Sequence, residues 1–277
     1  MKISIASYSF HGLIASGRMD VFGYLESVRF RYHLGAADIW NGLLGDDPES
    51  YLAPDFLAGV KEGLEERGLS VANYHADGCH LWEDDPAERD KNHRLALRHL
   101  DAAEYLGAKT VRIDTGGRGR HWTGEQFDHV VRRYREFAAR AQGRGYRIGP
   151  ETHWGASLFP DNMEKLARAV DHPGYGILLH LGHWDEGNVE ENDRRLARWA
   201  CHTHVDLNTT RTRMGSVVRM LHEVGYAGYL GVEHHTGRNE YAEVAAQVAE
   251  VRRAVALLRD AAPAFKPKNP LLPAGIE

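Results

Sequence analysis

The segment ILLHLGHW (177–184) reads at first as a short buried strand, yet it places His180 and His183 three residues apart. Histidine is abundant in this chain, with 17 among 277 residues. Three further segments combine it with carboxylates: GPETHWG (149–155) with Glu151 and His153, HTHVD (202–206) with His202, His204 and Asp206, and GVEHH (231–235) with Glu233 and His235. Imidazole nitrogens beside carboxylate oxygens form a ligand set suited to manganese, zinc, cobalt or iron(II) rather than calcium. These residues are far apart in the chain and make up no local metal motif. Whether they meet depends on the fold.

Eight brief apolar, β-rich runs alternate with longer segments of helical period. The runs are 2–9, 35–40, 69–75, 108–114, 146–152, 175–180, 200–206 and 229–235, and the helical patterns between them include 51–68, 87–107 and 124–145, most closed by a glycine. Eight strand–helix units without a Pro/Ser-rich linker predict an α/β chain folded as a single (β/α)8 barrel over residues 1–264, followed by a proline-rich extended tail, FKPKNPLLPAGIE, at 265–277. A barrel of this kind carries its active site at the C-terminal ends of the strands.

Strand alternation then sorts the strand ends, because residues of one parity face the barrel interior and the others face the helices. If Ile177 and Leu179 face the helices, His180 turns inward; Ile148 outward sends Glu151 inward, and Leu230 and Val232 outward send Glu233 inward. In ACHTHVD the inward set is His202, His204 and Asp206 or else Cys201, Thr203 and Val205, and the apolar set belongs outside. Two carboxylates held this close repel unless a cation lies between them, so strands five to eight predict a divalent-metal site.

With those residues in place, the chain resembles the xylose-isomerase-like barrel superfamily, in the sugar phosphate isomerase/epimerase group of ketose 3-epimerases and inosose dehydratases. GPETHWG is similar to that group's strand-five Glu segment, GYAGYLGVEHH (225–235) to its Gly-Tyr-x-Gly stretch before the strand-eight Glu, and HTHVDLNTTRTRMG (202–215) to its strand-seven His segment. The resemblance implies that Glu151, His204 and Glu233 bind metal, and that Glu151 and Glu233 act as acid and base on opposite faces of a sugar. Strand six departs from the group: its Asp-x-x-His pattern reads His180-Leu-Gly-His183 here. His180 is then a substituted ligand, a residue that stops short of the metal, or the mark of a site that has lost it. His183 keeps the place of a residue that orients a substrate hydroxyl. Manganese is taken first as the cofactor, with zinc, cobalt, magnesium and iron(II) as alternatives.

The expected substrate contacts are Trp40, Trp154 and Trp184 as walls of a sugar pocket, Arg211 in the loop after strand seven for a terminal hydroxyl or phosphate, and His75, Asp114 and His153 at the mouth. Each has a plainer reading as a core lid, a hydrogen-bonded core histidine or, for Asp38 and Asp114, a partner of Arg112. The glycine-rich loop 114–122 reads as a lid. The activity implied by the resemblance is isomerisation or epimerisation of a keto-sugar or related polyol ketone, by proton abstraction beside the carbonyl through an enediolate. Elimination from the same enolate, as in dehydration or cleavage of a 3-keto-glycoside, is the alternative; a non-catalytic sugar-binding or partner subunit and a phosphodiester hydrolase follow behind. A net charge of −5 gives no basic face for a nucleic-acid backbone. The absence of an apolar h-region and of any run near the ~20 apolar residues of a membrane helix predicts a cytoplasmic protein acting on a small-molecule carbohydrate, with a homo-oligomer or a heteromeric assembly left open. Cys79 and Cys201 form no CxxC pair.

Overall fold

The computed structural model describes residues 1–261. All eight expected runs contain a strand: β1 (Lys2–Ile5), β2 (Ala36–Trp40), β3 (Ser70–His75), β4 (Thr110–Arg112), β5 (Arg147–Gly149), β6 (Ile177–His180), β7 (Ala200–Val205) and β8 (Tyr229–Val232). The principal helix after each strand is, in order, α1 (Val21–Glu26), α2 (Pro54–Glu66), α3 (Pro86–Leu106), α4 (Gly124–Arg144), α5 (Pro160–Val170), α6 (Val189–Ala197), α7 (Met214–Glu223) and α8 (Glu240–Ala261). Their boundaries have local causes. Asp85 accepts from the Ala87 N–H ahead of Pro86 and opens α3, Thr123 and Gln126 form a reciprocal capping box on α4, and Gly107 and Gly145 close these two helices with φ of 75° and 78°. Among the described residues no helix is long and apolar enough to cross a membrane.

The strands pair in parallel as two arcs, β1-β8-β7-β6 and β2-β3-β4-β5. The arcs meet through single bridges, Ala6 with Asp38 on one side and Ile148 with Tyr175 and Glu151 with Leu178 on the other. At this second joint the strands approach closely, because a Cβ on Gly149 would lie 1.7 Å from the carbonyl oxygen of Gly176. Only a glycine lets β5 and β6 come so near. The outward side chains, among them Ile148, Ile177, Leu179, Val205, Leu230 and Val232, are buried against the helical layer. The inward ones at the C-terminal strand ends include the polar His75, His180, His202 and His204. Parity therefore holds at Glu151, His180 and Glu233.

Three expectations shift. The loop after β7 is helical over Leu207–Thr212, and Asp206 caps that helix by accepting from the Thr209 N–H rather than facing the interior. The expected lid at 114–122 is anchored at its start, where the N–H groups of Leu81 and Trp82 donate to the carbonyls of Asp114 and Thr115. The tail at 265–277, and the last three residues of the expected barrel domain, lie outside the described residues.

Candidate metal centre

Four side chains from consecutive strand ends converge at the mouth. Glu151, His180, His204 and Glu233 are all buried, and one ligand atom from each lies within 4.8 Å of the others. His204 Nδ1 stands 2.9 Å from Glu151 Oε1 and 3.4 Å from Glu233 Oε2; His180 Nδ1 stands 3.0 Å and 3.5 Å from the same two oxygens. The backbone sets these positions. The Glu233 N–H donates to the Val205 carbonyl, and the Thr152 hydroxyl accepts from the His180 N–H while donating to its carbonyl, which pins β6 to the segment carrying Glu151.

Two further layers support the cluster. Beside it, buried Arg112 pairs with Asp77 and Asp114 through Nη1, lies 3.2 Å from Glu151 Oε2 through Nε, and meets His75 Nδ1 through Nη2 at 3.3 Å. Glu151 is thus divided, one oxygen toward the cluster and the other toward a guanidinium. One layer deeper, Asp38 accepts from His75 Nε2 at 2.6 Å and from His202 Nε2 at 2.7 Å.

Burial works against charge on Glu151 and Glu233, yet the His204 imidazole and the surrounding hydrogen bonds outweigh it and hold both carboxyls well below their usual range. Burial likewise pulls His204 down, and the charges of Glu233 and Glu151 overcome it and push its imidazole well above the ordinary value. The site therefore demands positive charge where Glu151, Glu233 and His204 meet. A proton on His204 can carry it, and so can a metal ion at bonds of about 2.0–2.2 Å to carboxylate oxygen and imidazole nitrogen. The donor set fits such an ion: two carboxylate oxygens and two imidazole nitrogens, converging in a buried place.

At the rim, His183 stands edge-on to His180 with ring centres 4.8 Å apart. Burial and the neighbouring His180 and His153 lower its pKa to about 4. His153 goes the opposite way: burial lowers it, but the charge of Glu151 and the hydrogen bond to Asp114 push it up to about 9. Trp154 donates from Nε1 to Asp114 Oδ2 at 3.1 Å and Trp40 donates to Asp77 at 2.6 Å, so both indoles are fixed near the mouth by acids that Arg112 also holds.

Other expected substrate contacts are placed elsewhere. His75 is 1% exposed with both ring nitrogens engaged, and Asp114 is 3% exposed and taken by Arg112, Trp154 and the Glu151 N–H, so these two support the site from behind. Trp184 donates to buried Asp193 of α6 and packs on the core. Arg211 is exposed on its short helix and pairs with Glu243 of α8 at 3.3 Å. The residue that sequence reasoning passed over is Asp77, and Asp38, expected beside Arg112, is held instead by His75 and His202. Asp77 lies two residues beyond His75 at the end of β3, a position the barrel rule covers; the Asp38–His202 contact spans the barrel and has no local signal.

Residues 41–261 match the family model described as a xylose isomerase-like TIM barrel. The fold is similar to that of D-psicose 3-epimerase from Clostridium cellulolyticum H10, solved with D-tagatose, at a TM-score of 0.74 and 15% identity over 92% of this chain and 99% of that one. It is also similar to 3-keto-D-glucoside 4-epimerase from E. coli (TM-score 0.68, 15% identity, 84% and 94% of the two chains). A third likeness is to the probable 3-DHS dehydratase involved in petrobactin synthesis from Bacillus anthracis (0.66, 14%, 91% and 99%). No curated protein sequence matches the chain significantly.

Proposed function

Since the chain belongs to the family of xylose isomerase-like TIM barrels, we propose that it is a divalent-metal-dependent isomerase or epimerase of a keto-sugar or related polyol ketone. The observation that carries this reading is the convergence of Glu151, His180, His204 and Glu233 in one buried cluster. Those four residues hold the ion, with manganese first and zinc, cobalt, magnesium or iron(II) as alternatives. When bound, the ion supplies a Lewis acid for the substrate carbonyl and the enediolate that follows.

The chain's own groups move the proton. Glu151 and Glu233 work on opposite faces of the substrate, and Glu233 is the more accessible of the two, 7% exposed against 1% for Glu151. Its Oε2 lies 3.0 Å from Nε2 of the part-exposed His235, which gives a proton taken by Glu233 a path to solvent. His183, neutral at physiological pH because of its low pKa, accepts from or donates to a substrate hydroxyl. Trp154 offers an indole face at the rim. Elimination from the same enolate is the second reading, and His153 favours it: its imidazole, 3.4 Å from Asp114 at the mouth, is placed to protonate a departing oxygen.

Metal analysis of the purified protein followed by incubation with keto-sugars in heavy water tests the proposal. Deuterium beside the carbonyl of an intact skeleton supports isomerisation or epimerisation, and loss of water or an aglycone supports elimination. Glu151→Gln and Glu233→Gln should each lower turnover about 10²- to 10⁴-fold, the usual contribution of a positioned acid or base. A protein that binds no divalent metal, or a Glu151→Gln variant with full turnover, overturns the reading.

A further inference from the structure

His204 is engaged on two sides. Its Nδ1 faces Glu151 and Glu233, while its Nε2, fully buried and without a hydrogen-bond partner, lies 3.6 Å from Asp38 Oδ2. We propose that Asp38 is the positioning residue of the metal centre: it holds the His204 proton on Nε2 and so leaves the Nδ1 lone pair for the ion. This rests on the metal-dependent reading above, but not on the identity of the substrate.

A neutral imidazole carries one N–H, and the nitrogen that binds a metal must be the other one. A carboxylate behind the ring selects that tautomer, orients the ring and makes the ligating nitrogen more basic. Asp38 is built to stay where it is. Its Oδ1 accepts from His75 Nε2 at 2.6 Å and Asn73 Nδ2 at 3.3 Å, and its Oδ2 accepts from His202 Nε2 at 2.7 Å and Ser4 Oγ at 3.3 Å. Held by four donors from β1, β2's neighbour β3 and β7, the carboxylate cannot swing away from His204.

The backbone opposite keeps the approach open. Gly231 of β8 faces this point, and a Cβ there would lie 2.9 Å from Asp38 Oδ2, from His202 Nε2 and from His204 Cδ2 alike. Any larger residue drives these three groups apart. A second metal ion explains the same atoms less well. Both oxygens of Asp38 already accept short imidazole hydrogen bonds, and His204 could serve two ions only by losing both ring protons.

The test uses full-length protein labelled with ¹⁵N-histidine and loaded with Zn²⁺, a diamagnetic probe. The long-range ¹H–¹⁵N spectrum should place the His204 proton on Nε2, in slow exchange with water; a proton on Nδ1, or an Nε2 proton in free exchange, overturns the proposal. Competition with a chromophoric chelator should show Zn²⁺ bound about 10- to 100-fold more weakly by Asp38→Asn, the range for loss of such a partner. Gly231→Ala, which keeps the carboxylate but wedges it from His204, should weaken binding in the same direction. Folded variants that both bind Zn²⁺ like the wild type sink the idea, and should Asp38→Asn fail to fold, the wild-type spectrum and Gly231→Ala still decide it. A wild type that binds no Zn²⁺ and no other divalent ion fails the functional reading itself; one that binds Zn²⁺ but turns over no sugar leaves these readouts intact.

Discussion

Arg112 is the cation around which the acids of the first arc are arranged. Its guanidinium is buried with Asp77, Asp114 and Glu151 about it, and its two-residue spacing from Asp114 along the end of β4 puts both on the interior side. The arrangement fixes one oxygen of Glu151 and leaves the other for the cluster, and it also fixes the two indoles, since Trp40 and Trp154 are bonded to Asp77 and Asp114. Removing the cation strands buried Asp114 and Glu151 without water to solvate them, while the part-exposed Asp77 keeps contact with solvent, at a cost of about 3–5 kcal/mol for the buried partners. Arg112→Met should therefore lower the free energy of unfolding by about that amount in urea titrations. Arg112→Lys keeps the charge and loses the fork, so it should fall between the two. Equal stability of the Met variant and the wild type would show that the three carboxylates are not held by this residue.

At the scale of elements, the same economy appears where helices meet strands. His99 of α3 is completely buried and receives the Tyr74 hydroxyl of β3 at 3.0 Å on Nδ1, with the Tyr51 hydroxyl of the Pro48–Tyr51 helix 3.5 Å from Nε2. Burial, helped by the nearby Arg98, lowers its pKa to about 4. An unfolded chain binds a proton at histidine near pH 6.5, so between about 6.5 and 4 the unfolded state holds the proton and the folded state does not. The contribution is full above pH 6.5 and is lost as pH falls toward 4, on the order of 3 kcal/mol in all. His99→Gln should flatten the fall of Tm over this window; an unchanged slope would assign the acid sensitivity elsewhere. The elements themselves were legible in the sequence, because strand alternation, helical period and capping residues are local signals: all eight strands, the glycine stops at Gly107 and Gly145, and the inward turn of Glu151, His180 and Glu233 follow from neighbours in the chain. β7 left two choices, and the burial of His202 and His204 against Asp38 decides between them. The contacts of Arg211 and Trp184 were not legible, for a physical reason. Their positions are set by Glu243 and Asp193, acids on helices that no local pattern connects to them.

The whole barrel is two arcs closed by narrow joints, and the metal centre draws on both. Glu151 follows β5 at the end of one arc, whereas His180, His204 and Glu233 come from β6, β7 and the end of β8 in the other. An ion held by all four would therefore bridge the β5–β6 joint, adding to the single bridges, the Thr152–His180 hydrogen bonds and the bonds from Arg147 to the carbonyls of Tyr175, Trp199 and Ala200 that connect the arcs there. Since the four side chains come from strands of both arcs and lie within 4.8 Å of one another in the closed barrel, an ion held there would bind the folded state and not the unfolded one. Binding of that kind stabilises by about 2.7 kcal/mol at a hundredfold excess over Kd. At roughly 2–4 °C per kcal/mol for a domain of this size, Mn²⁺ should raise the Tm of chelator-stripped protein by about 5–10 °C. Glu151→Gln should lose most of that rise, because it removes the one ligand contributed by the first arc, while a substitution of exposed Arg211, which is not among the four clustered side chains, should keep it. A rise that persists in Glu151→Gln would mean that the ion sits within the second arc alone and does not tie the halves together.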